Sequence, residues 1–253
     1  RYGLVGSEMC IRDSFMAVGF LRPHTPLIVP QKYFDMYPLD SIKLANILEN
    51  DKDDTFLHLV DQFETKGRRV RSIEMYKNLV ASYDDNKEGL KRFTQAYLAC
   101  VTAVDENIGQ VLSAVNKTKL KNNTIVIIAS DHGWTMGEKE HVYKNSLWEE
   151  STRVPLIIRA PGVSKPDKKV NHPVSLIDVY PTLLDLAGLD FNTKKNETGS
   201  SLNGFSLKSF LKNPEKNKWD GPKAALTVVY SSDENENIPS NHPVSYTHLT
   251  LPT

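Results

Sequence analysis

The sequence feature that most constrains the fold is the run TIVIIASDHG, residues 124–133. It begins with a near-continuous stretch of aliphatic side chains, which is typical of a β-strand covered on both faces. The stretch ends abruptly in Asp131, His132 and Gly133. In open α/β sheets, ligands bind beyond the carboxyl ends of the strands. The run therefore predicts a buried strand with a polar, functional tip.

Strands and helices alternate along the chain around this run. Apolar residues spaced by three and four from Phe93 to Val115 predict a long amphipathic helix, with Cys100 buried on its apolar stripe. Residues 40–86 are polar, carry the charge run ENDKDD, and predict a surface excursion with one or two helices. Further predicted elements are strands at Phe15–Phe20, Arg153–Gly162 and residues 225–231, a helix from Ser175 to Gly188, and short helical segments at residues 31–38 and 203–213. This order predicts an α/β fold with a mainly parallel central sheet flanked by helices.

Composition excludes several classes of partner. The chain has 253 residues, 40% of them hydrophobic, with a formal net charge of zero and a pI near 7.2. Nothing favours nucleic acid or an anionic membrane surface, so an anionic ligand needs a local site. No apolar run approaches the roughly 18 residues of a membrane span. The two cysteines, Cys10 and Cys100, fit no zinc pattern or disulfide framework.

The two ends of the sequence differ in character from the rest. Residues 1–14 and 244–253 show no periodicity and resemble translated sequencing-adapter read-through. We therefore expect both to be non-native, the alternative being ordinary flexible termini. Residues 15–243 are then expected to be native, with both true termini missing. Oligomeric state is left open by the sequence.

Asp131 and His132 are candidate metal ligands. An adjacent carboxylate and imidazole reach one cation if the backbone turns sharply, and Gly133 permits such a turn. Carboxylates suit calcium or magnesium, whereas imidazole is more usual for zinc or manganese. The alternative is structural: Asp131 caps a helical turn and His132 fills a hydrogen-bonded gap.

Three basic residues are candidates for binding an anion next to the cation. Lys144 follows the strand tip in a loop rich in glycine and charge, the alternative being a solvated surface lysine. His24 lies in RPHTP, where prolines restrict the imidazole, a group that suits proton donation. A structural histidine in a tight turn is the alternative. Arg22 adds a fixed positive charge, and His141 is expected at the surface.

Three segments follow one another along the chain: AVGFLRPHTP, the run from SDHGWTMGEKEHVYK to RAPG, and VSLIDVYPTLLDLAGL with GFSL after it. Together they resemble the sulfatase family of the alkaline-phosphatase-like superfamily. The likeness is greatest to the iduronate-2-sulfatase type. It implies that residues 15–243 are part of a catalytic domain that lacks its N-terminal part and a C-terminal subdomain. It implies that Asp131 and His132 are half of a Ca²⁺ site, and that Lys144 contacts the sulfate and the leaving oxygen. It also implies that His24 binds sulfate and protonates the alcohol, and that Arg22 touches an anionic sugar.

The sequence departs from the family at the nucleophile. Family members carry an upstream pair of metal-binding aspartates and a cysteine in Cys-x-Pro/Ala-x-Arg that is oxidised to formylglycine. Neither CIRDS nor CVTAV matches that motif, and truncation explains the difference most simply. The resemblance implies formylglycine-dependent hydrolysis of sulfate esters, with sulfated carbohydrate such as glycosaminoglycan as substrate, in an exported protein: periplasmic, extracellular or lysosomal. The chain as given is expected to be inactive.

Two other functions remain open. The first is a metal-dependent phosphodiesterase or phosphonate hydrolase of the same superfamily, and the second is a catalytically dead anion-binding domain.

Overall fold

The computed structural model describes residues 14–53, 68–144, 146–194, 196–215, 219–229 and 244–248. They belong to two compact units. The first comprises the described residues of Arg1–Ala45 and Leu79–Thr118, and the second those of Asn46–Asn78 and Lys119–Thr253. Of the residues expected to be non-native, 1–13 and 249–253 lie outside the described part. The prediction about their origin stays a prediction.

The first unit is built on the predicted long helix. The helices within the described residues are α1 (Gln31–Phe34), α2 (Arg68–Ala81), α3 (Asn86–Asn116), α4 (Glu149–Thr152), α5 (Val179–Ala187) and α6 (Lys208–Lys212). α3 begins at an N-cap, Asp85, whose carboxylate accepts a hydrogen bond from Lys87 N. Its buried face centres on Ala99, Cys100 and Ala103, whereas Val101 of the predicted stripe is exposed. Small side chains let α1 pack closely against this face.

The predicted strand at Phe15–Phe20 is wrong. These residues have no regular secondary structure, and Phe15 and Met16 are exposed. A strand is stable only when its backbone groups pair with a neighbour. None of the strands that the structure describes pairs with this segment, so its apolar composition alone does not make it a strand.

The second unit contains all the described strands. They are β1 (Val126–Ala129), β2 (Thr135–Met136), β3 (Val142–Tyr143), β4 (Leu156–Arg159), β5 (Ala225–Val229) and β6 (Val244–His248). β1 pairs with β4, β2 with β3 and β5 with β6. Short 3₁₀ helices lie at Leu39–Ser41, Lys119–Asn122, Glu138–Glu140 and Leu176–Asp178. β1, β4, β5, α5 and α6 confirm predicted elements, and β6 falls within the terminus expected to be non-native.

The mainly parallel sheet is wrong for the described residues, because all three pairs are antiparallel. Parallel neighbours need a crossover that returns the chain to the far end of the sheet. Residues 130–155 instead form β2, β3 and α4. The chain then enters β4 where it left β1, since Leu156 pairs with Ala129. Nor is this two-stranded sheet covered on both faces, as Ile157 is exposed.

Helix α5 has the start and stop signals that its sequence indicates. Ser175 and Asp178 form a reciprocal capping box on the 3₁₀ turn that leads into the helix. Pro181 lies in the first turn of α5, where its missing N–H costs no intrahelical bond. Gly188 ends the helix in the left-handed conformation, φ 67°. None of the described helices has the length and apolarity that crossing a membrane requires.

We predict that Ser175→Ala lowers the free energy of unfolding by about 1 kcal/mol, because a helix N-terminus loses its side-chain cap. Urea denaturation followed by far-UV circular dichroism measures the change. Ser209→Ala is the matched control, since the buried Ser209 hydroxyl has no hydrogen-bond partner among the described residues. Equal effects of the two substitutions would contradict the capping role.

Candidate functional site

The backbone after β1 is held by a close approach to α4. Gly133 N donates to Ser151 O at 2.7 Å, and Trp134 N donates to Glu150 O at 2.6 Å. A Cβ at position 133 would collide with Glu150 O. Glycine is therefore required here to bring two backbones together, which is a steric reason distinct from a positive φ.

The imidazole of His132 is oriented by this turn. Its Nδ1 lies 2.8 Å from Gly133 O. Because a carbonyl oxygen only accepts, Nδ1 carries the proton, and the neutral ring presents the lone pair of Nε2. The Lys144 ammonium donates to that lone pair at 2.7 Å. The structure thus brings together the predicted metal ligand His132 and the predicted anion-binding Lys144.

Asp131 completes this group at its exposed side. Its Oδ2 lies 3.6 Å from His132 Nε2, and its side chain is 85% exposed while that of His132 is 24% exposed. The carboxylate therefore faces solvent, where a ligand can reach it, and the imidazole is sheltered by protein. We call Asp131, His132 and Lys144 the strand-tip cluster.

Lys144 is placed by a short hairpin of β2 and β3. Thr135 is fully buried, and its hydroxyl donates to Tyr143 O at 2.8 Å and accepts from His141 Nδ1 at 2.9 Å. The expected surface position of His141 is wrong, because the ring is 2% exposed. Trp134 packs edge-to-face on Tyr143, with ring centroids 4.9 Å apart. Buried side chains on both strands thus hold the backbone that ends at Lys144.

The hairpin loop contacts the segment around Asp51, which is predicted to be a surface excursion. Asp51 Oδ1 forms an ion pair with Lys139 Nζ at 2.9 Å, and Lys52 Nζ with Glu140 Oε2 at 2.7 Å. Burial alone would raise the pKa of Asp51, but the hydrogen bonds and charge of Lys139 hold this pKa below its ordinary value. Sequence reasoning missed these contacts. The only available signal was the charge run ENDKDD.

Arg22 and His24 form a second group, in the first unit. His24 N donates to Leu21 O at 3.0 Å, and the Arg22 guanidinium donates to Ile28 O at 3.1 Å and to His24 O at 3.2 Å. The peptide bonds before Pro23 and Pro26 are cis. His24 is exposed and its Nδ1 donates to Thr25 O at 2.7 Å. The structure therefore joins Arg22 to His24, while the meeting of this group with the strand-tip cluster stays a prediction.

The donor set at the strand tip fits part of a divalent-cation site. Two ligands at about 2.4 Å on perpendicular bonds to Ca²⁺ lie about 3.4 Å apart, close to the 3.6 Å between Asp131 Oδ2 and His132 Nε2. The Lys144 ammonium already shows that Nε2 faces a positive charge. Within the part of the chain that the structure describes, no third histidine, cysteine, aspartate or glutamate joins them. These two residues would leave most of a six- to eight-coordinate Ca²⁺ shell to other groups.

Comparison with known proteins identifies the family of the chain. The sulfatase family model matches residues 11–189, and the model of the C-terminal part of N-sulphoglucosamine sulphohydrolase matches residues 137–246. A sulfatase of Formosa agariphila is 40% identical over 69% of this chain and 32% of its own length. Iduronate 2-sulfatase of Mus musculus is 31% identical over 69% of this chain and 36% of its own. The chain thus spans about a third of the length of these relatives.

A solved structure shows the same fold. The phosphonate monoester hydrolase of Silicibacter pomeroyi superposes with a TM-score of 0.67 over 88% of this chain and 42% of its own, at 23% sequence identity. The fold is therefore the one that sulfatases and phosphonate hydrolases share, although the strands described here pair antiparallel.

We predict that Gly133→Ala disrupts the strand tip, because the added methyl meets the Glu150 carbonyl and the two backbone hydrogen bonds beside it must lengthen. The expected loss of stability is about 2 kcal/mol or more, measured by urea denaturation. Gly109→Ala on α3, where a Cβ meets nothing within 4 Å, is the control and is expected to be neutral or stabilising. Equal stabilities of the two variants would show that the close approach is not required.

Proposed function

This chain belongs to the sulfatase family, and from that premise we propose that it supplies part of the active site of an enzyme that hydrolyses sulfate esters. The observation that carries the proposal is the strand-tip cluster: the Lys144 ammonium lies 2.7 Å from His132 Nε2, and the Asp131 carboxylate lies 3.6 Å from the same atom. One small volume therefore holds two metal-ligating groups and a cation. That combination suits an anionic ester bound beside a divalent metal.

We assign Asp131 and His132 as ligands of Ca²⁺. When bound, such an ion neutralises negative charge on the ester oxygens. His132 contributes the Nε2 lone pair, since the hydrogen bond from Nδ1 to Gly133 O holds the ring in the required tautomer. Asp131 contributes a carboxylate oxygen and a full negative charge. The anchoring of Gly133 and Trp134 to α4 keeps the two side chains on one side of the turn.

Lys144 binds the sulfate oxygens in this proposal. Its ammonium carries three hydrogen-bond donors. When Ca²⁺ takes the Nε2 lone pair of His132, all three donors can turn to sulfate oxygens. A positive charge fixed beside the ester stabilises the transition state most when it lies next to the negative charge that develops there.

His24 and Arg22 act on the alcohol side of the ester. His24 donates a proton to the leaving oxygen, a step that needs the imidazolium form or a proton at Nε2. Arg22 contributes a fixed positive charge next to His24 and suits an anionic sugar. Its guanidinium also braces the loop by donating to the carbonyls of His24 and Ile28.

Formylglycine does not fit the residues of this chain. Neither Cys10 nor Cys100 lies in the required motif, and the Cys100 thiol is buried, which raises its pKa, while the charge of Arg22 opposes the shift. The nucleophile is therefore assigned to no residue here. The activity proposed is that of a longer protein that contains this chain, in line with the third of the relatives' length that the chain spans.

Sulfated carbohydrate is the proposed substrate class, supported by the likeness to iduronate 2-sulfatase. Choline sulfate and aryl sulfates are the alternatives. Export from the cytoplasm is part of the proposal and is supported by the family resemblance. A phosphonate or phosphodiester substrate is the second candidate, favoured by the fold shared with a phosphonate monoester hydrolase.

We predict that the chain binds Ca²⁺ through the strand tip, as measured by isothermal titration calorimetry. Asp131→Asn weakens binding at least about 10-fold, since one charged ligand is lost. Lys144→Met strengthens binding, because the ammonium no longer competes for His132 Nε2. Asp185→Asn makes the same chemical change in α5, next to Lys208, and is expected to leave the affinity unchanged. Binding that is indifferent to Asp131 would overturn the metal assignment.

We also predict that the 253-residue chain hydrolyses no aryl sulfate, and turnover above that of its His24→Ala variant would contradict this.

A longer protein that includes a Cys-x-Pro/Ala-x-Arg motif is expected to hydrolyse 4-nitrophenyl sulfate faster than the 4-nitrophenyl ester of phenylphosphonate. In it, Lys144→Met is expected to lower kcat/KM about 100-fold or more. Preference for the phosphonate ester would favour the second candidate.

A further inference from the structure

We propose that the two ion pairs between Asp51–Lys52 and Lys139–Glu140, which we call the charge clasp, position Lys144 for binding the sulfate. The inference rests on the proposed function, because it takes Lys144 as the anion-binding group. The residues of the clasp touch neither metal ligand nor ester in this account. They act through the hairpin that ends at Lys144.

The clasp is tight on one side and looser on the other. Asp51 accepts twice from the same residue: Oδ2 from Lys139 N at 2.8 Å, and Oδ1 from Lys139 Nζ at 2.9 Å. The side chains of Asp51 and Lys139 are only 14% and 15% exposed, whereas those of Lys52 and Glu140 are 31% and 36% exposed. A sheltered, doubly bonded pair of this kind holds geometry far better than an exposed ion pair.

The hairpin needs such an external anchor. β2 and β3 share only two residue pairs, Thr135 with Tyr143 and Met136 with Val142, and two-stranded hairpins are marginal by themselves. Lys139 and Glu140 both lie in the left-handed region, with φ of 55° and 52°. Side chains other than glycine adopt this region at a cost. The Asp51 carboxylate offsets this cost by accepting the Lys139 N–H at the strained position.

Lys139 also connects the hairpin to the segment that holds the turn of Asp131 and His132. Its ammonium lies 5.0 Å from the ring centroid of Trp148, within cation–π range. Trp148 is the N-cap of α4, whose Glu150 and Ser151 carbonyls hold Trp134 and Gly133. One lysine thus touches both the segment around Asp51 and the segment that fixes His132. The distance between Lys144 and His132 depends on this three-way contact.

The inference separates two properties of the strand-tip cluster. Asp131 and His132 are placed by the turn after β1, which the clasp does not touch directly. Lys144 is placed by the hairpin, which the clasp holds. Loss of the clasp is therefore expected to weaken sulfate binding without lowering the affinity for Ca²⁺.

The test measures binding of inorganic sulfate to the Ca²⁺-loaded chain by calorimetry, together with binding of Ca²⁺ alone. Lys139→Met is expected to weaken sulfate binding about 10-fold, the effect of one charge-assisted hydrogen bond at Lys144. Lys139→Arg keeps the ion pair and the contact with Trp148 and is expected to stay within about 2-fold of the parent. Lys208→Met removes an ion pair with Asp185 elsewhere in the same unit and is expected to change neither affinity.

Three results separate the possible failures. Equal sulfate affinities for Lys139→Met and Lys208→Met would overturn the clasp. Failure of Lys139→Arg to restore binding would do the same. Sulfate binding by the parent chain that is insensitive to Lys144→Met would instead overturn the proposed function. In that case the ¹⁵N resonance of His132 Nε2 still tests whether the clasp positions Lys144. Lys139→Met is expected to shift this resonance as Lys144→Met does, and an unchanged resonance contradicts the inference.

Asp51→Asn is the second variant, and it tests the clasp if Lys139→Met does not fold. The amide oxygen still accepts from Lys139 N, but the ion pair with Lys139 Nζ is lost. An intermediate loss of sulfate affinity, about 3-fold, is expected with an unchanged circular dichroism spectrum. Parent-like sulfate affinity in this variant would contradict the role of the clasp.

Discussion

The hydrogen bond between Lys144 and His132 is the interaction on which the site depends. It joins the turn after β1 to the end of the β2–β3 hairpin. Between these two points the chain forms only two short strands and one 3₁₀ turn. The bond is directional because Nδ1 of the same ring is already committed to Gly133 O. A backbone contact too close for any Cβ at Gly133 fixes the ring. Steric exclusion at one glycine thus determines where a lone pair and an ammonium meet.

Much of the local structure could be predicted from the sequence, because it depends on neighbours in the chain. Aliphatic side chains in a row predict β1, and a spacing of three and four predicts α3. The serine and glycine that flank α5 behave as caps because their backbone and side-chain chemistry is local. The adjacency of Asp131 and His132 to the end of β1 is likewise local, and the structure has both residues just after that strand. Their role as metal ligands stays a prediction.

Pairings between distant segments could not be predicted in the same way. The strand at Phe15–Phe20 needs a partner that its own residues do not specify, and the direction of β4 depends on the path taken by residues 130–155. His141 carries a polar side chain in a charged loop, yet the buried Thr135 hydroxyl provides a partner that makes its burial tolerable. The charge clasp joins residues far apart in sequence, and the charge run ENDKDD does not by itself indicate which distant residues pair with it.

The tautomer of the His132 ring tests the central claim most directly, and long-range ¹H–¹⁵N spectra of the histidine side chains measure it. The account predicts a neutral ring protonated at Nδ1, with an Nε2 resonance that shifts when Ca²⁺ is added and also shifts in Lys144→Met. A ring protonated at Nε2, with a resonance indifferent both to Ca²⁺ and to residue 144, would contradict it. Such a ring could not offer its Nε2 lone pair to either cation.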